Sequence, residues 1–212
     1  MSVSLKVPYL SYQQIARVAA ESLEKIGCKD KLPIPVEHII DNILKINIIP
    51  FPNLFTNFEI NAFTSSDLRN MYVDEYLYEN LNPQYRFTLA HELGHIILHE
   101  KIYANMEMKN LEQWRKFISE VDEISYRQLE FQANNFAGLF LVPGSQLEKE
   151  FNQQLISQLI NVEKSKKQKL KREEYLDWVV DVIASRLGPI FEVDAQVIKI
   201  RIEKEGLISK IP

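Results

Sequence analysis

The sequence predicts an α+β protein: a small antiparallel sheet of about three strands, two strong helices after it and a helical C-terminal tail. Three observations predict it. Short runs of β-branched and aromatic residues, separated by turn residues, occupy residues 46–74. Two later stretches, roughly 83–99 and 125–141, repeat apolar residues at helical spacing. The last of them ends at Pro143-Gly144, and helical patterning returns on both sides of Leu187-Gly188-Pro189.

The elements follow in chain order. Ile15, Val18, Ala19, Leu23 and Ile26 lie near helical spacing, and Gly27 suits a C-cap. Pro33 and Pro35 interrupt the chain before a short helix of about ten residues from Val36. INIIPFPN, FEINAFTS and RNMYVD then read as strands. Pro50 and Pro52 place the first at an edge or make it irregular, and Met71–Asp74 is also expected at an edge, open to an added strand. Asn82-Pro83 opens the next helix, whose stripe is Phe87, Ala90, Gly94 and Ile97. Residues 100–123 are polar, with a short helix around Leu111–Ile118, before the helix over Ser125–Leu141. The tail, Glu174–Pro212, reads as two helices meeting at Leu187-Gly188-Pro189, and VDAQVIKIRIEKEGL as a packing helix rather than a DNA reader. The domain boundaries expected are an N-terminal helix over 1–30 packing on the core, a core over 31–160, and a basic linker with helical region over 161–212.

The 212 residues suffice for a substantial core. With 25 Lys+Arg against 29 Asp+Glu, the net charge of −4 lacks the basic footprint of a nucleic-acid binder. Lys164–Arg172 holds six basic residues and no acid, and is read as a solvated face. Only six glycines are present, and no Gly-rich phosphate loop. The single cysteine, Cys28, excludes an internal disulfide and a thiolate metal site. MSVSLKVPYLSYQQ lacks a signal-peptide pattern, and Phe131–Leu147 is too polar to span a membrane. A cytoplasmic protein is expected.

The chemistry concentrates in His91-Glu92-Leu93-Gly94-His95. Residues four apart share a helix face, so His91 and His95 can offer imidazole nitrogens to one metal ion. Glu92, about 100° around the helix, can reach a water beside the metal without being a ligand. About 0.007 such strings are expected by chance at this composition. A catalytic zinc needs a third protein ligand and an open position. Lys101 stands where a metzincin has its third histidine. Among Glu107, Glu112, Glu120, Glu123 and Glu130, the last is best placed, because Ala133, Ala137 and Gly138 nearby permit close helix approach. Asn134, one turn on, can hold a ligand imidazole. His99 is open between supporting a ligand, facing substrate and plain structure.

RFTLAHELGHIILH (Arg86–His99) followed by EFQANNFAGLFLVP (Glu130–Pro143) resembles the ImmA/IrrE family of bacterial zinc metallopeptidases. The likeness covers roughly residues 30–145 and departs only conservatively, at Val142. It implies a zincin-like, minimal gluzincin core. On the matching positions it implies one Zn2+ per chain held by His91, His95 and Glu130, with Glu92 as general base. Tyr85, Tyr126 and His99 are candidates to stabilise the oxyanion.

The resemblance implies a site-specific endopeptidase whose substrate is a regulatory protein, such as a helix-turn-helix repressor of a mobile element or prophage. A second class is a non-catalytic zinc module that acts by binding such a regulator or as a toxin-like partner. Glu92 argues against it, since a structural site has no use for that carboxylate.

Overall fold

The computed structural model describes residues 5–80, 82–106, 108–167 and 170–212, with side chains except at 82 and 156–167. Helix α1 (Tyr12–Ile26) begins at a capping box between Ser11 and Gln14 and buries Ile15, Ala19 and Leu23. Gly27 stops it at φ 72°, a left-handed conformation that glycine adopts without steric cost. A single helical turn, α2 (Val36–His38), widens into a π-turn over Ile39–Ile43. The chain continues through β1 (Asn47–Phe51), α3 (Leu54–Phe58), β2 (Ala62–Thr64), β3 (Asn70–Asp74) and α4 (Glu75–Asn80). Helices α5 (Asn82–Tyr103), α6 (Leu111–Glu120), α7 (Glu123–Leu141), α8 (Gly144–Lys167), α9 (Arg172–Phe191) and α10 (Ala195–Lys204) complete it.

The fold is α+β and zincin-like, with three strands in the order β1-β3-β2. The sheet is mixed, which corrects the all-antiparallel expectation. β2 pairs antiparallel with β3, Ala62 opposite Val73, but β1 runs parallel to β3 from Asn47–Asn70 to Phe51–Asp74. The chain reverses once through α3 and again between β2 and β3, so the first and third strands point the same way. Pro50 does lie on an edge. Asn47 N–H donates to Arg69 O, so alternation turns Pro50, three residues on, away from β3.

Met71–Asp74, expected at an edge, is instead the central strand. Both of its faces are covered: Met71 and Val73 are fully buried in the main core, and Tyr72 stacks on Phe63 at 4.8 Å on the other side. The strand with a free edge beside the helices is β2.

One buried cluster runs from Ile15 to Ile211 and joins α1, the sheet, α5, α7 and the tail helices. A smaller one, Leu54, Ile60 and Phe63, lies beneath Leu111 and Trp114 of α6. Arg86, buried at the start of α5, donates to Ile34 O at 2.7 Å and Glu192 O at 3.1 Å, tying three distant segments together.

The tail differs from expectation in one respect. Helix α9 runs through Leu187-Gly188-Pro189 and ends at Glu192, φ 51°. Pro189 forfeits a backbone hydrogen bond there, but Leu187 and Phe191 on the same turns are fully buried and hold the helix together. VDAQVIKIRIEKEGL forms α10, which buries Ile198, Arg201 and Ile202. The side chains of Lys164, Lys166, Lys167 and Lys169, and Glu107, lie outside the described residues. Among the described residues no helix is long and apolar enough to cross a membrane.

The helices α5 and α7 touch at Gly94. A Cβ there would sit 3.2 Å from the Cα and O of Ala133 and from the Cβ of Phe136. Gly94→Ala is expected to lower stability by about 1–3 kcal/mol, read as a fall in melting temperature. An unchanged melting temperature would mean that the two helices can part freely.

Candidate metal centre

Helix α5 projects His91 and His95 from one face, and α7 brings Glu130 against them. The two Nε2 atoms are 3.0 Å apart. Glu130 places Oε2 3.4 Å from His91 Nε2 and Oε1 3.3 Å from His95 Nε2. Ligands at about 2.0–2.1 Å around a tetrahedral zinc are separated by about 3.3 Å, so these spacings suit one ion.

The far sides of both rings are occupied. Asn134 Oδ1 lies 3.1 Å from His91 Nδ1, and His99 Nδ1 lies 3.1 Å from His95 Nδ1. With a proton on each Nδ1, both Nε2 atoms are bare lone pairs facing a carboxylate. Such a donor set is repulsive unless a proton or a cation stands between its members. Neutral imidazoles with one carboxylate suit zinc and other divalent transition ions. Among the described residues His91, His95 and Glu130 are the metal-capable cluster, and a tetrahedral ion held by these three would have a fourth position for water.

Without a metal, burial works against protonation of His91, but its hydrogen bond to Glu130 and the Glu92 and Glu130 charges win and raise its pKa. Burial likewise opposes ionisation of Glu130, yet hydrogen bonds from His91 and His95 hold its carboxyl well below the ordinary range. His99, fully buried, is lowered to about 4 by that burial and by the neighbouring His95.

Glu92 is 5% exposed, and its Oε2 accepts a 2.7 Å hydrogen bond from Thr64 Oγ1 on β2. His91, Glu92, His95 and Glu130 line a cavity of about 290 Å³. Trp114, Phe117 and Ile118 of α6 form an apolar wall of the same cavity, and Ala62 of β2 its rim. Tyr126 also lines it; burial, then the Glu130 and Glu92 charges, push its hydroxyl up to about 12, so it remains a donor. Tyr103 is buried against the His95 ring, centroids 5.8 Å apart.

The structure therefore brings together His91, Glu92, His95, Glu130, Asn134 and Tyr126. Tyr85 is elsewhere: its hydroxyl donates to Glu37 Oε1 at 3.1 Å and it does not line the cavity. His99 sits behind His95, out of the cavity. Glu112 and Glu120 lie on α6, and Glu123 pairs with Arg127 in solvent. Thr64, Tyr103 and Gln132, the last on the far side of His99, escaped sequence reasoning. Thr64 is 28 residues from Glu92 and on a strand, so no spacing rule links them.

The sequence model of a peptidase family, described as the IrrE N-terminal-like domain, matches residues 58–202. A Mycobacterium tuberculosis transcriptional regulator of known structure superposes with a TM-score of 0.51 at 14% identity, covering 88% of this chain and 45% of that one. That likeness is one of fold, and this chain spans less than half of the regulator's length. No curated protein matches.

The pH dependence follows from the two shifts. His91, raised above its ordinary 6.5, stabilises the metal-free fold fully below that pH, and loses this share as pH rises through its folded value. Glu130, lowered below 4.5, contributes above that pH and is lost only in strong acid. The rise in melting temperature on adding zinc is therefore expected to be larger near pH 8.5 than near pH 6. Differential scanning calorimetry at both pH values checks this; an increment independent of pH would contradict it.

Proposed function

The chain belongs to the IrrE N-terminal-like peptidase family, and from that premise we propose that it is a zinc-dependent, site-specific endopeptidase. The observation that carries the reading is the convergence of His91, His95 and Glu130 in one cavity with a non-ligand carboxylate, Glu92. Zinc bound there supplies a Lewis acid that acidifies water and polarises the scissile carbonyl.

The chain's own groups supply the rest. Glu92 takes the proton of the attacking water and returns it to the leaving amine. Thr64 occupies only Oε2 of that carboxylate, which leaves Oε1 for the work. Tyr126, protonated up to about pH 12, is the donor available to a developing oxyanion.

The substrate lies along β2. Asp74 N–H donates to Asn61 O and Ser65 N–H to Asn70 O, so Asn61, Phe63 and Ser65 face β3. Ala62 and Thr64 turn their main-chain groups outward, beside the cavity, where an extended peptide can add as a further strand. The apolar wall of α6 favours a large apolar side chain next to the cleaved bond. The substrate we propose is a regulatory protein of the helix-turn-helix repressor kind, on the resemblance of the two sequence blocks. The segment 31–160 forms the catalytic core, with 1–30 and 161–212 as its helical supports.

Where a helix-turn-helix repressor is encoded beside the gene, co-expression with it is expected to yield a shorter repressor fragment by mass spectrometry, absent with Glu92→Gln, which still binds zinc. Intact repressor that co-purifies with both versions would replace this reading with that of a binding module. Ala62→Pro removes an outward N–H without touching the β2–β3 ladder. It is expected to slow cleavage at least about tenfold while zinc binding persists; unimpaired cleavage would move the substrate off β2.

A further inference from the structure

We infer that His99 and Gln132, together with the main-chain carbonyl of Pro8, are positioning groups that set the tautomer of His95 so that its Nε2 faces the metal as a lone pair. The inference rests on the metal-site reading above and extends it to residues that touch neither metal nor substrate.

The argument begins at Pro8. Gln132 Nε2 is 2.8 Å from Pro8 O. A carbonyl oxygen only accepts, so the amide must present its NH2 to Pro8 and its Oε1 to the other side. That Oε1 lies 3.0 Å from His99 Nε2. An amide oxygen also only accepts, so the proton of His99 sits on Nε2 and its Nδ1 is the acceptor. His99 Nδ1 is 3.1 Å from His95 Nδ1, so His95 carries its proton there and keeps Nε2 bare.

The opposite orientation of one amide would reverse the whole relay. An NH2 turned toward His99 would place the His99 proton on Nδ1. His95 Nδ1 would then have to accept, and its own proton would move to Nε2, into the position of the metal. Gln132 and His99 are each 1% exposed, so water cannot readily substitute for a missing partner. The other ligand needs no such relay, because Asn134 Oδ1 meets His91 Nδ1 directly.

The relay ends outside the segment 58–202 that matches the family model. The segment that supplies Pro8 is held to α7 a second time, by Ser125 Oγ donating to Leu5 O at 2.8 Å. The N-terminal segment is thus wired to a metal ligand on α5, across α7.

The test is zinc affinity of the full chain, measured by competition with a chromophoric chelator, with histidine tautomers read from long-range 1H–15N spectra of the zinc-loaded protein. His99→Phe and Gln132→Leu are expected to weaken zinc binding by about 10–100-fold. Gln132→Glu, which as the neutral acid can donate its O–H to Pro8 O and accept from His99 Nε2–H, is expected to recover most of that loss. The native spectrum is expected to show His99 protonated at Nε2. Folded Leu and Phe variants within twofold of native affinity, or Gln132→Glu no better than Gln132→Leu, would overturn the relay. So would a proton on His99 Nδ1, which is read in the native chain even if a variant fails to fold. A native chain that binds no zinc would overturn the metal site itself, whereas a chain that binds zinc but cleaves nothing would leave the relay standing.

Discussion

The contact between α5 and α7 at Gly94 is the constraint on which the candidate centre depends. Two histidines on one helix can come within 3.0 Å of each other, but the carboxylate that completes the set is on another helix. Glu130 reaches them only because the helices meet with no side chain between Gly94 and Ala133. Metal–ligand distances tolerate about 0.2 Å. Close packing is what holds two helices to that precision, since a dense interior leaves no slack to absorb a shift. Of the small residues buried along α7, Ala133 lies against Gly94 of α5, whereas Gly138 faces Arg201 of α10.

The polar groups of the centre depend on the same packing. Three polar side chains of the centre and its surround are held by partners on other elements, Glu92 by Thr64 of β2, His91 by Asn134 of α7 and His99 by Gln132 of α7, while His95 is held by His99 of its own helix. A buried hydrogen bond lost here costs more than one in solvent, because nothing replaces it. The sheet is small, yet it supplies Thr64, the outward main chain of Ala62 and, through Phe63, a footing for α6. Helix α6 in turn closes the apolar side of the cavity.

Local order was readable in the chain. The helix bearing His91 and His95, the cap at Gly27, the edge position of Pro50 and the helix of Glu130 follow from periodicity, caps and proline chemistry, which act within a few residues. The parallel pairing of β1 was not readable, because strand direction depends on how many times the chain reverses between partners. Nor was the central place of β3, which reflects burial on two faces by elements remote in sequence. Pro189 inside α9 shows a local rule overridden, since burial of Leu187 and Phe191 outweighs one lost hydrogen bond.

By itself the sequence determined the α+β class, the metal-competent pair on one helix face, the non-ligand Glu92 between them and, by resemblance, the family. These are properties of short segments, where spacing alone fixes which side chains share a face. Only the tertiary structure decided that Tyr85 turns away to Glu37, that Thr64 holds Glu92, and that Pro8 and Gln132 stand behind His99. Those contacts join residues 28 to 124 positions apart. A hydrogen bond acts over about 3 Å, and only the packing of whole helices and strands brings such distant groups within its reach.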